Sequence, residues 1–332
     1  MSIAGLLYDS PLFTGLFYKL HNRLKDTRLT LFVFSLFAGM LPVPGRVSLT
    51  AGVLDNIIAK DNDKEVRENL GIIDYLSSHH YYLWNPLEKT IIIPMAVLGL
   101  TYYSIITLIY PLLIITFLYI GVTIYFILPK DTVLKYNFSE EELKNIKFSL
   151  FDKLAGLFFI MSLIGIFFFN PAIVFGVLFL SVIGLKMYFY GTELNLDLLK
   201  QIHKTLNYWV LGYVAVSIIL GNFIRESGVL EWFHSYASAE SSFIMVAMLS
   251  FFVSFSLGSS SRFSGIVSYL TLIFGPAYFV VLFAIDFAGY LLSPVHKCVV
   301  ISKTYFGTPI VRYYTVLIVW AVLLVSFGIL QT

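Results

Sequence analysis

Long apolar runs alternate with short polar ones through most of the chain, at 29–40, 91–108, 111–129, 154–169, 171–190, 206–223, 242–257, 279–300 and 309–330. A helical crossing of the bilayer takes about 17–25 residues, so most of these runs read as transmembrane helices. Two do not fit. The run at 29–40 is too short to cross and ends in Leu41-Pro42-Val43-Pro44-Gly45-Arg46-Val47-Ser48-Leu49-Thr50-Ala51-Gly52. The run at 242–257 leads into Gly258-Ser259-Ser260-Ser261-Arg262-Phe263-Ser264-Gly265, after which apolar residues resume to 278. Proline removes a backbone donor and glycine frees φ, so a helix reaching Pro42, Pro44 and Gly45 should break. Broken backbone at membrane depth is tolerated only where protein covers it or water reaches it. The two stretches are predicted to be the tips of re-entrant helical hairpins over 29–58 and 242–278.

Charge placement orients these elements. Lys19, Arg23, Lys25 and Arg28 close an amphipathic segment, 1–28. Lys60, Lys64 and Arg67 lie in a polar connector, 59–89, Lys130, Lys135, Lys144, Lys147 and Lys153 in the loop from 130, and Lys186, Lys200 and Lys204 in a third patch. Each pair of spans (91–108 with 111–129, 154–169 with 171–190) should go out and return, which puts these basic segments on one face. The positive-inside rule makes that face cytoplasmic. The hairpin 29–58 must then enter and leave by the same side. Span 206–223 carries the chain outward, the outer segment 224–240 has no positive excess, and hairpin 242–278 enters from outside. Spans 279–300 and 309–330 follow.

The order hairpin, span, span thus occurs twice, in 29–129 and 224–330, from opposite faces, with loops and three spans in 130–223 between them. The expected fold is an all-α polytopic membrane protein with inverted repeats and about seven full transmembrane helices. Its N-terminus is cytoplasmic and it sits in the plasma membrane. Inverted repeats with broken helices are a common architecture of secondary transporters.

Composition agrees. The chain is 58% hydrophobic and 13% charged, against about 25% charged for soluble domains, and its mean hydropathy is +0.83. The net charge of +2 gives no sign of nucleic acid as a partner. The one cysteine, Cys298, excludes an intrachain disulfide and a Cys-rich metal site. Met1 to Leu20 has no basic n-region of a cleavable signal peptide. Walker A, HExxH, GxSxG and CxxC patterns are missing, so neither an ATP site nor an enzyme is expected, and no cofactor beyond Na⁺ or H⁺ as coupling ion.

The candidate chemistry lies at the tips. Arg46 and Arg262 can bind a carboxylate or another oxyanion, or pair with an acid. Pro44, Gly45, Ser48, Thr50, Gly258, Ser259, Ser260, Ser261 and Ser264 supply hydroxyls and freed carbonyls for a solute or Na⁺, or satisfy neighbouring backbone. Asp286, in an apolar run, could carry a coupling proton or counter Arg262. Ser293 and His296, in the break Ser293-Pro294-Val295-His296-Lys297, are further coupling candidates, and His296 is either a proton relay or a hydrogen-bonded structural residue. His79 and His80 precede an aromatic cluster. With no carboxylate or cysteine at ligand spacing, they are expected to form an interfacial anchor rather than a metal site.

Three stretches resemble a family of integral membrane proteins known as domain of unknown function 401. Leu41-Pro42-Val43-Pro44-Gly45 with Ser48 or Ser48-Leu49-Thr50-Ala51 is similar to its LPMPGGAMLSAP signature, with Arg46 at the second glycine. Asp74-Tyr75, His79 and Pro86-Leu87 fall on NYWFRHIWEYxWPL, with Ser78 and Tyr82 replacing its arginine and glutamate. Phe287-Ala288-Gly289-Tyr290-Leu291-Leu292-Ser293-Pro294-Val295-His296-Lys297-Cys298 with Thr304-Tyr305-Phe306 resembles GFAGxLLSPVHLCLVLTREYF. The resemblance implies the ion transporter superfamily, alternating access and a homodimer. If the halves are repeats, it also implies helices missing before the first hairpin. The expected function is secondary transport of a small anionic solute coupled to Na⁺ or H⁺, with lipid bilayer and solute as partners. The alternatives are an intramembrane enzyme using Asp286 with His296 or Asp152, and a non-transporting membrane subunit that needs a partner.

Overall fold

The structure is a computed structural model. It describes residues 11–38, 46–57, 64–86, 88–129, 150–165, 168–169, 171–190, 239–258 and 264–331, with isolated positions between 132 and 143 and between 219 and 228. Among the described residues it is helical, without a strand. Helices α1 (Pro11–Leu24) and α2 (Thr27–Ala38) meet at Lys25, whose φ is 55°. Asp26 starts α2 by accepting the Leu29 N–H at 2.7 Å. Helix α3 (Arg46–Ile57) follows the Pro/Gly stretch, and α4 (Lys64–His79) runs into a 3-10 turn at His80–Leu83. Then come α5 (Lys89–Leu98), α6 (Tyr102–Ile127), α7 (Leu150–Gly165) and α8 (Pro171–Tyr190). The last part holds α9 (Ala239–Leu257), α10 (Ser264–Phe274), α11 (Phe279–Leu292), α12 (Lys297–Phe306) and α13 (Ile310–Ile329).

Two expectations are corrected. The break between the expected spans 91–108 and 111–129 lies at Gly99–Thr101, not at Tyr110-Pro111. Gly99 ends α5 in the left-handed region (φ 68°) and donates its N–H to the Met95 carbonyl. Thr101 caps α6 by accepting the Ser104 N–H at 3.1 Å. Pro111 sits inside the unbroken 26-residue α6. The connector 59–89 is likewise not a solvated element, because every residue of α4 from Asn69 to His79 is buried. Its polar side chains bond inside the protein: Asn69 donates to the Ile127 carbonyl, and Ser77 to the Ile73 carbonyl, while Asn69 Oδ1 has no partner among the described residues. Span 206–223 and most of the outer segment 224–240 lie outside the described residues.

α6 and α13 are long and apolar enough to cross a membrane. Their outward faces are apolar too: Tyr103, Tyr110, Ile114, Leu118 and Val122 are exposed on α6, and Val311, Ile318 and Val322 on α13. A water-facing helix would carry polar residues there. The two helices are tied by Tyr119, which donates to the Val316 carbonyl at 2.6 Å, and by Trp320, which donates to Thr116 at 3.3 Å.

Packing elsewhere relies on small residues. α11 packs against both α9 and α13. A Cβ added at Gly289 would collide with the Phe251 carbonyl, and one at Gly328 would meet the Val281 Cα at 3.0 Å. Glycine lets such backbones approach closely. α4 packs against α2, α3 and α12, and α3 also lies against α12. Correspondingly, α10 packs against α9, α11 and α5.

One end of the molecule gathers charge. Arg28 donates from Nε and a terminal nitrogen to the Leu128 carbonyl at 2.8 and 2.7 Å, and its guanidinium lies 4.6 Å from the Tyr125 ring centroid. Arg67 pairs with Asp55 at 2.7 Å and donates to the Tyr305 carbonyl. Arg312 pairs with Glu65 at 3.2 Å and Glu68 at 3.1 Å. The starts of α2, α4 and α13 thus meet the ends of α6 and α12.

Candidate functional site

Two helices are interrupted where their sequences interrupt them. After α4 the chain turns through His80–Leu83, Trp84, Asn85 and Pro86 before α5 begins. After α11 it turns through Ser293-Pro294-Val295-His296 before α12. Proline cannot donate in a helix and disfavours helical backbone at the residue before it, which accounts for the break after Leu292; Pro86 acts later, after the 3-10 turn His80–Leu83 has already ended α4.

The two interruptions meet. His79, the last residue of α4, and His296, the residue before α12, face each other with their Nε2 atoms 3.2 Å apart. Tyr75, one turn before His79, serves both rings. Its carbonyl accepts from His79 Nδ1 at 2.6 Å, and its hydroxyl lies 2.8 Å from His296 Nδ1. The Tyr75 and His79 rings stack at 3.8 Å, and Tyr82 and Tyr290 pack around them. All three central residues are buried. Residues carrying two separate family signatures, more than 200 positions apart, are therefore in hydrogen-bond contact.

Tip residue Gly258 reaches this junction. Its φ is +56°, and a Cβ there would meet Ser293 Oγ at 3.1 Å and His296 Cα at 3.3 Å. Ser293 is fully buried, and its Oγ has no hydrogen-bond partner among the described residues. The first hairpin reaches the α4 side: the Ser77 and Ser35 hydroxyls are in hydrogen-bond contact, and His80 Nε2 lies 3.0 Å from the Ser35 carbonyl.

Two buried acids flank the junction, one on each interrupted helix. Thr50 of α3 donates to Asp74 of α4 at 2.5 Å. Ser254 of α9 donates to Asp286 of α11. Each acid thus accepts a hydroxyl from the hairpin helix beside it. Among the described residues the second oxygen of Asp74 has no hydrogen-bond partner, and the proton of nearby Ser302 goes to the Gly71 carbonyl at 2.9 Å. Among the described residues neither acid forms an ion pair.

Of the residues proposed from sequence, Thr50, Gly258, Asp286, Ser293 and His296 have described side chains or backbone in or beside this region. Arg46 opens α3 and Ser48 follows in its first turn, and Ser264 opens α10, but their side chains are outside the described part. Pro44, Gly45, Ser259, Ser260, Ser261 and Arg262 lie outside the described residues altogether. His79 and His80 are fully buried, which corrects their assignment as an interfacial anchor. Trp84 donates to His80 at 3.0 Å, so this aromatic cluster is internal as well. Asp286 and His296 bond to different partners, Ser254 on one side and Tyr75 with His79 on the other.

Asp74, Tyr75, His79 and Ser254 were not among the site residues proposed from sequence. Asp74 carried the same signal as Asp286, an acid inside an apolar run (Gly71-Ile72-Ile73-Asp74-Tyr75-Leu76). A separate groove of about 560 Å³ between α9, α11 and α13 is lined by apolar groups such as Phe251, Ile285 and Val325 and holds none of these residues. No curated protein and no solved structure matches the chain. A family model does, over residues 12–331, and the chain belongs to that family, described as Protein of unknown function (DUF401).

Proposed function

We propose that the protein is a multi-pass secondary transporter of the plasma membrane, moving a small anionic solute with Na⁺ or H⁺. The observation that carries the reading is reciprocal packing. The sequence α2, α3, interrupted α4/α5, α6 is matched by α9, α10, interrupted α11/α12, α13. The second arm of each hairpin lies against the far piece of the other unit's interrupted helix, α3 on α12 and α10 on α5. Exchange of this kind is what two inverted repeats around one central site would produce. On this reading α4/α5 and α11/α12 are broken spans, and α6 and α13 are the return spans.

The charged end supports one orientation. It brings together segments near 28, 64–68, 128 and 312, which lie beside the basic clusters, so this end and the N-terminus are cytoplasmic. The first turns of α3 and α10 follow the two tips, and the N–H groups and dipole of a helix start would attract an anion. Arg46 and Arg262 would add charge there, and Ser48, Ser264 and Ser293, whose Oγ has no partner among the described residues, would add hydroxyls. Asp74 and Asp286, each held by a hairpin hydroxyl, are suited to couple proton or Na⁺ occupancy to hairpin position.

The test is uptake by the purified protein in proteoliposomes across a panel of organic and inorganic anions, with Na⁺ and pH gradients imposed separately. Saturable uptake that requires one gradient is expected, with affinity lost in Arg46→Ala and Arg262→Ala. Uptake no greater than in protein-free vesicles, for every anion and gradient, would reject transport.

A further inference from the structure

We propose that His79, His296 and Cys298 form a binding site for a soft d¹⁰ cation, Cu⁺ or Zn²⁺, at the junction of the two interrupted helices. One ligand atom from each residue lies within 4.8 Å of the others. The two Nε2 atoms are 3.2 Å apart. Nitrogens bonded at about 2.0–2.1 Å to a tetrahedral ion stand about 3.3–3.4 Å apart, so the imidazoles already have ligand spacing. The thiol must approach by about 1 Å to reach a bond near 2.3 Å. Cys298 is half-buried in the first turn of α12, two residues after His296, and binding would require its side chain to turn toward the imidazoles.

The surrounding groups hold both rings for this role. Imidazole ligands characteristically anchor their second nitrogen on a carbonyl or another polar group, which fixes tautomer and ring orientation. Here one residue, Tyr75, anchors both: its carbonyl holds His79 Nδ1 and its hydroxyl holds His296 Nδ1. Two imidazoles with a thiolate are a soft donor set, which selects Cu⁺ and Zn²⁺ over Mg²⁺, Ca²⁺ or Na⁺. With one thiolate a bound Cu⁺ is neutral overall, which suits a buried position. Zn²⁺ leaves one positive charge and a fourth position for water or an anion.

Without a cation the same atoms close a ring of hydrogen bonds. Tyr75 O–H donates to His296 Nδ1, His296 Nε2–H to His79 Nε2, and His79 Nδ1–H to the Tyr75 carbonyl. Binding replaces the middle link. The His296 proton moves from Nε2 to Nδ1 and is donated to the Tyr75 oxygen, whose own proton turns toward the Leu291 carbonyl at 3.5 Å. The Cys298 thiol releases its proton to solvent, so one proton leaves per cation. The three links named join Tyr75, His79 and His296, whereas the cation-bound state needs the Cys298 thiolate, which spectroscopy reports directly.

The test uses the purified full chain in detergent. Cu⁺ (anaerobically) and Zn²⁺ are titrated against a chromophoric chelator, and Co²⁺ replaces Zn²⁺ for spectroscopy. One cation per chain is expected, with a thiolate-to-cobalt charge-transfer band and a Tm that rises with cation concentration. Tyr75→Phe should weaken binding by about 10–100-fold, as loss of an outer-shell partner does, and His79→Gln or His296→Gln by at least that much. Cys298→Ser should lose the charge-transfer band and weaken binding while remaining folded and monodisperse. Equal affinity in wild type and Cys298→Ser, or no charge-transfer band in folded wild type, would overturn the site. These readouts do not depend on transport.

Discussion

Thr50 and Asp74, 24 positions apart, are joined by a buried hydrogen bond of 2.5 Å between the hairpin helix α3 and α4. Removing the hydroxyl while keeping the shape, as in Thr50→Val, leaves the Asp74 carboxyl without its donor. An unsatisfied buried group costs about 1–3 kcal/mol. Unfolding in detergent should show that loss, and Asp74→Ala, which removes the acceptor, combined with Thr50→Val should be less destabilised than the two single changes added together. Strict additivity would mean that the contact contributes nothing.

Asp286 accepts the corresponding hydroxyl, from Ser254. Asp74→Asn and Asp286→Asn keep an acceptor for each hydroxyl but remove the ionisable group. If these acids couple solute to ion, at least one variant should retain solute exchange across the vesicle membrane while losing gradient-driven accumulation. Normal accumulation in both variants would remove the acids from the coupling step.

Two glycines are set by geometry. Gly258 has φ +56° and close neighbours in Ser293 and His296, so Gly258→Ala forces a left-handed alanine, at a cost of about 1–2 kcal/mol. At Gly289 the obstacle is the Phe251 carbonyl of α9, and Gly289→Val should separate α9 from α11. We expect a lowered Tm for the first and loss of monodisperse protein for the second, read by size-exclusion chromatography. A Gly289→Val protein with unchanged Tm would show that the helices do not approach so closely.

Arg28 closes the C-terminal end of α6 with two hydrogen bonds to the Leu128 carbonyl and packs on Tyr125. Lysine has the charge but not the planar fork. Arg28→Lys should cost about 1 kcal/mol, one net hydrogen bond, and Arg28→Gln more. Thermal unfolding distinguishes the two, and equal stability of wild type and Arg28→Gln would rule out the contact.

Hydropathy and the family signatures made the helical class, the interruption at Ser293–His296 and family membership legible in the sequence. Other features were hidden for physical reasons. Pro111 resembled a break, yet a proline inside a long apolar helix is tolerated, and Gly99 with the Thr101 cap marks the true boundary. Residues 64–79 resembled a solvated connector because hydropathy averages Asp74, Ser77, Ser78 and His79 as polar. It does not register that they find partners inside the fold. The meeting of His79 with His296, 217 positions apart, follows from how the two interrupted helices pack, and no local spacing encodes it.

The carrier reading requires residues 64–98 to cross the membrane in two pieces and α6 to return. The most direct measurement is two-sided labelling in a Cys298→Ser background, with a membrane-impermeant thiol reagent and single cysteines at Lys64 and Thr101, both exposed. Lys64→Cys should label only from the cytoplasmic face and Thr101→Cys only from the outer face. Labelling of both from the same face would contradict the broken span and, with it, the two-repeat carrier.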